Sequence, residues 1–86
     1  MPYAIQIKRE AKRKLAGLSA SDRLRITDKI MELGRNPDDP TLDTKLLTGS
    51  RLWRLRVGGW RVIYDRRDAL RIIAILKVKP RGDAYK

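Results

Sequence analysis

Between Trp53 and Tyr64 the chain reads WRLRVGGWRVIY, and its apolar and charged positions alternate with a period of two. Trp53, Leu55 and Val57 interleave with Arg54 and Arg56, the signature of a strand buried on one face. Gly58-Gly59 is a two-residue loop able to take the positive φ that primed hairpin turns require. Such a loop predicts Val57 opposite Trp60, Leu55 opposite Val62 and Trp53 opposite Tyr64, with all six on one packed face. The other face then carries Arg56 directly opposite Arg61, and Arg54 a step away.

The flanking pattern supplies the remaining elements. Tyr3, Ile5 and Ile7 alternate as a first strand. Ile7, Ala11, Leu15 and Leu18 fall at helical spacing, and Gly17 closes that short helix. Ser19 is a good N-cap for a second helix, with Asp22 three residues on. Ile26, Ile30 and Leu33 form its apolar stripe, Leu24 and Met31 widen it, and Gly34 is placed as the residue just past its end. Asn36 to Thr44 reads as an ordered, turn-rich loop, and Lys45-Leu46-Leu47 with Gly49 leads into the hairpin. Asp65 to Asp68 turns the chain again. Leu70 to Val78 is the most apolar strand. Its other-parity positions Ile73 and Ile75 are apolar too, which predicts a central strand covered on both sides along part of its length. The order β-α-α-β-β-β predicts one α+β domain over residues 1–86, with a mainly antiparallel four-stranded sheet and an N-terminal helical hairpin packed on one face. The tail from Lys79 is too polar for core.

Composition narrows the chemistry. The 86 residues include 21 Lys+Arg against 10 Asp+Glu, a formal net charge of +11, with no Cys and no His. Disulfides and thiolate sites are excluded, and so are the commonest metal ligand and the commonest neutral-pH general base. The charge calls for a polyanion, either nucleic acid or an acidic protein that covers the patch. No apolar run is long enough to span a bilayer and no secretory signal is visible, so a cytoplasmic protein without membrane contact is expected. Arg56 facing Arg61 costs up to ~1 kcal/mol as a like-charge cross-strand pair. Three guanidiniums on one face therefore look arranged for phosphate, the alternative being a solvated basic face. Trp53 and Trp60 fall to the core by parity. Lys8, Arg9, Lys12 and Arg13 on the first helix either touch a polyanion or are solvated. Asp65, Asp68 and Asp83 lack a ligand spacing and read as turn residues, so neither metal nor cofactor is expected.

Lys45-Leu46, Gly49, the WRLRVGGWRVIY run, the apolar last strand and the closing Arg81-x-x-x-Tyr85 together resemble the RelE/ParE superfamily of toxin–antitoxin toxins. The resemblance covers almost the whole chain. It implies one of two activities: RelE-like members are ribosome-dependent endoribonucleases that cut mRNA in the decoding site, and ParE-like members poison DNA gyrase. Both kinds are held inactive by an antitoxin, here an acidic RelB-like partner in a hetero-oligomer. The nuclease pattern carries over onto Arg54, Arg56, Arg61, Arg81 and Tyr85, which favours the RelE-like branch, with ribosome and mRNA as further partners; the alternatives are a ParE-like gyrase inhibitor and a non-catalytic RNA- or ribosome-binding module. Lys8, Arg9, Lys12, Arg13, Arg51 and Lys79 are the candidate RNA contacts around them. Three positions depart from the pattern: Arg54 and Arg56 stand where relatives carry lysine, and Pro80 stands where many carry histidine. Arginine forks suit phosphate binding and transition-state neutralisation. Arginine is a poor base, however, and Tyr85 can stack on a base or help move a proton, so the acid and base stay open.

Overall fold

The computed structural model describes residues 2–80. Strand β1 (Ala4–Ile7) leads into helices α1 (Arg9–Ala16) and α2 (Ala20–Arg35). Strands β2 (Asp43–Leu46), β3 (Trp53–Val57), β4 (Trp60–Arg67) and β5 (Ile72–Pro80) follow, with a single 3₁₀ turn at Asp68–Leu70. The sheet order is β1-β5-β4-β3-β2. β1 runs parallel to β5 and every other pairing is antiparallel. The α+β architecture agrees with the sequence pattern, and the sheet has one strand more than the pattern predicts. The extra strand is β2, whose four residues read from sequence as a lead-in to the hairpin.

Both helices lie on one face of the sheet. Ala11 and Leu15 of α1 and Ile26, Ile30 and Leu33 of α2 pack against Leu55, Val57, Val62, Tyr64, Ile73, Ile75 and Val78. Ser19 caps α2, its hydroxyl accepting the Asp22 amide at 3.2 Å. Three helix expectations change. Ile7 belongs to β1 rather than to the stripe of α1. Leu24 and Met31 do not widen the buried stripe of α2; both are more than 60% exposed. Gly34 is not past the end of α2 but inside it and buried, because β1 crosses there. A Cβ at Gly34 would lie 3.0 Å from the Ile5 side chain, and the Gly34 carbonyl accepts the Tyr3 amide at 2.7 Å. Close approach of two backbones, not helix termination, requires the glycine.

The hairpin matches its expected register at every pair: Trp53 with Tyr64, Leu55 with Val62, Arg56 with Arg61 and Val57 with Trp60. Gly58 takes φ of +57° at the turn. Trp53 and Trp60 are half-buried against the core, as parity predicts. The Asp65–Asp68 turn is displaced. β4 continues through Arg67, and the chain reverses over Asp68 to Arg71, where Arg71 has φ of 53°. The loop before β2 is ordered, as expected. Arg66 clamps it, donating to Asp38 at 2.9 Å and to Asp68 at 3.1 Å while lying over the rings of Trp53 and Tyr3.

One irregularity in β5 decides the site. Ile63 pairs with Lys77 but Tyr64 pairs with Ile75, so Leu76 is the extra residue of a β-bulge. The bulge resets the alternation. Ile73 and Ile75 face the core beside Tyr64, whereas Lys77 and Lys79 face outward beside Ile63 and Arg61.

Candidate nucleic-acid interface

The face of the sheet turned away from the helices is built by the alternate positions of four strands. Across β2, β3, β4 and β5 one row reads Asp43, Arg56, Arg61, Lys79, and the next reads Lys45, Arg54, Ile63, Lys77. Between these rows opens a cleft of about 290 Å³. Leu47, Leu52, Ile63 and Leu76 give it apolar walls, and Arg54, Arg61, Lys77 and Lys79 bring four cationic side chains into it. Arg54 and Arg61 are each only 9% exposed, unusual for arginine. Scarcity of water around such groups strengthens their attraction for an anion.

Asp43, on the strand the sequence did not reveal, is the counter-charge of this cleft. Its Oδ1 accepts from Arg54 Nη2 at 3.0 Å, and its Oδ2 lies 3.8 Å from Arg56 Nε. Arg56 is 40% exposed in its side chain and stands at the rim. The two carboxylate oxygens thus hold two of the three hairpin arginines, which partly offsets the like-charge pair of Arg56 and Arg61. Directly behind the cleft, on the core side, Tyr64 is fully buried, and burial pushes its phenol up to about 12. It packs as a neutral ring, 6.5 Å from that of Trp53.

A second ionic group lies toward the other end of the same face. Asp65 on β4 is buried, not a surface turn residue as its sequence neighbours imply. Its Oδ2 accepts from Arg51 Nη2 at 2.6 Å and from Arg67 Nε at 2.9 Å. The hydrogen bond from Arg51, aided by that from Arg67, holds its carboxyl below the usual carboxylate range. Asp68 sits in the exposed 3₁₀ turn, and Asp83 lies outside the described residues.

Of the sequence-predicted residues, Arg54, Arg56, Arg61 and Lys79 come together at the cleft. Arg51 is held apart by Asp65, and Lys8 stands at the end of β1 on the same sheet face. Arg9, Lys12 and Arg13 belong to α1 in the helix layer, away from the cleft. Arg13 does line a groove between α1 and the end of β5 that Lys79 also lines, beside Lys14, whose ammonium lies 5.8 Å from the Trp60 ring. Arg81 and Tyr85 lie outside the described residues. Sequence reasoning missed Asp43 and Lys77. The alternation of Lys77 with Lys79 was a usable signal for Lys77; a counter-ion on the preceding strand, 11 residues from Arg54, left none.

Residues 5–85 match the family described as the ParE toxin of the type II toxin-antitoxin system parDE. The chain is a toxin of the RelE/ParE superfamily. Its structure is similar to RelE in the archaeal RelE–RelB complex from Pyrococcus horikoshii, with a TM-score of 0.82 and 31% identity over 95% of this chain and 98% of that one. It also resembles the toxin–antitoxin complex RelBE2 from Mycobacterium tuberculosis, with a TM-score of 0.78 and 22% identity over 94% and 100% of the two chains. The E. coli RelBE complex gives a TM-score of 0.73 and 20% identity over 91% and 95%, a likeness of fold alone. No curated protein matches the chain in sequence. Among the described residues no helix is long and apolar enough to cross a membrane.

Proposed function

We propose that this toxin is a RelE-like endoribonuclease that cuts ribosome-bound mRNA in the cytoplasm and is silenced by an acidic RelB-like antitoxin. The observation that carries the reading is the convergence of Arg54, Arg61, Lys77 and Lys79 on one cleft with apolar walls. A surface built only for solubility has no reason to bury two arginines beside each other. The proposed reaction is attack of a ribose 2′-hydroxyl on the adjacent phosphorus, with departure of the 5′-oxygen and formation of a cyclic phosphate. Arg61 and Arg54 bind the non-bridging oxygens and neutralise the charge that grows on them; donors of this kind are typically worth about 2.7–4 kcal/mol each. Arg56, Lys77 and Lys79 hold flanking phosphates, with Arg81 and Tyr85 completing the set as the family resemblance implies. Alignment supplies much of the rate, because a held in-line geometry replaces a costly encounter. The ribosome contributes to that alignment by presenting an extended codon.

A second reading is inhibition of DNA gyrase, favoured by the ParE description of the matching family. Primer extension on a defined mRNA separates the two, using the folded toxin with and without ribosomes whose decoding site is open. Cuts at a fixed place in the exposed codon, present only with ribosomes and abolished in Arg61→Ala, Arg81→Ala and Tyr85→Ala, are the expected result. Intact message in both samples together with loss of gyrase supercoiling would establish the second reading instead.

A further inference from the structure

Beside the arginine cleft, on the same sheet face, lies a second depression of about 310 Å³. Its floor is apolar, formed by Ala74, Leu76 and the outward-lying Leu70, and its rim carries Lys8, Asp65 and Arg67. Leu76, the bulge residue, lines both cavities, so they form one continuous track. Arg61, Ile63, Asp65 and Arg67 follow the track along β4, and the six residue steps from Arg61 to Arg67 span about 20 Å. We infer that this depression is a second nucleotide subsite, holding a single-stranded RNA segment that flanks the phosphate bound at Arg54 and Arg61.

Three observations lead there. Asp65 is the buried member of its ionic group, its side chain 9% exposed, while the guanidiniums it holds, Arg51 and Arg67, remain 65% and 53% exposed. A buried acid that fixes two outward arginines leaves a net positive charge and further N–H donors at fixed positions. Leu70 is 65% exposed, a large apolar side chain at the edge of a cationic rim. An apolar floor with a cationic border is complementary to a base lying flat with its phosphates outward. The inference rests on the reading of the arginine cleft as an RNA site.

The test measures binding of 2′-O-methyl oligouridylates of three and nine nucleotides, end-labelled, by anisotropy over a range of salt. The wild-type toxin is expected to bind the nonamer more tightly and with a steeper salt dependence. Arg67→Gln, and separately the exposed pair Lys8→Glu with Leu70→Ser, should abolish that length advantage and leave the trimer unchanged. Removing one phosphate-binding cation flattens the slope of log affinity against log salt by about 0.7. Arg54→Ala should weaken both lengths. A retained length advantage in both subsite variants, with Arg54→Ala weakened, overturns the subsite alone. Arg54→Ala binding both lengths like the wild type overturns the cleft reading and the subsite with it. A deca-glutamate peptide serves as the competing polyanion. If the subsite variants lose that peptide and keep the nonamer, the face belongs to an acidic protein and the inference fails.

Discussion

Asp43 places a negative charge at the border of the basic cleft where a phosphate is proposed to bind, against Arg54 that lines it. Its carboxylate keeps the Arg54 fork in one orientation at the expense of some attraction for an anion. On the proposed function, Asp43→Asn leaves RNA affinity equal or tighter at low salt and slows single-turnover cutting about ten- to a hundredfold, the scale expected when a reacting group shifts by an ångström. Equal losses in binding and in rate would show instead that Asp43 serves only to hold the fold. Asp65 gives a separate prediction in pH. Its carboxyl is held below the ordinary value of about 3.9, so the folded state binds its proton less readily than the unfolded chain does. Its stabilisation is complete above that ordinary value and fades as pH falls through the lowered one. Thermal denaturation should therefore show Asp65→Asn less stable than the wild type at pH 7, with the difference closing in strong acid.

At the level of elements, the β5 bulge and the α2–β1 crossing carry the architecture. Were Leu76 an ordinary strand position instead of a bulge, strict alternation would put Ile73 and Ile75 on the same side as Lys77 and Lys79. Either two isoleucines would face solvent or two lysines would enter the core. Deleting Leu76 joins Ile75 to Lys77 in strict alternation with both faces kept, so the variant is expected to retain a cooperative unfolding transition, whereas inserting one alanine between Ile73 and Ala74 reverses the inward face of Ile73 and is expected to abolish that transition. Gly34→Ala gains about 1 kcal/mol of helix propensity. It also drives a methyl against Ile5 and toward the Tyr3 carbonyl, which cannot move away without breaking the strand. Overpacking of this kind costs roughly 1–3 kcal/mol. The expected net result is a lower denaturant midpoint; a raised one would show that β1 shifts freely.

For the whole molecule the governing quantity is a net charge of +11 on 86 residues. Self-repulsion destabilises the compact state, and an anion bound at the cleft relieves it. Inorganic phosphate should raise the melting temperature more than sodium chloride at equal ionic strength. Arg54→Ala should remove the part of that gain which comes from the cleft. What remains reports general exclusion of phosphate from the protein surface.

The sequence by itself determined the α+β class, the hairpin with its register, the core parity of Trp53 and Trp60, and the outward placement of Arg54, Arg56 and Arg61. Each of these follows from short-range alternation and from a two-residue glycine loop, which leave little choice of pairing. The tertiary structure alone decided which charges meet. β2 reads Asp43-Thr44-Lys45-Leu46, with one apolar residue and so no alternation to declare it, and its delivery of Asp43 to Arg54 depends on pairing with β3. Asp65 reads as a turn residue because charge and turn composition go together in sequence, yet strand pairing buries it beside Arg51. The bulge at Leu76 is invisible to an alternating pattern, since it exists only where two strands disagree by one residue. Strand faces are set by neighbours along the chain, whereas counter-ions, bulges and clefts are set by neighbours across it.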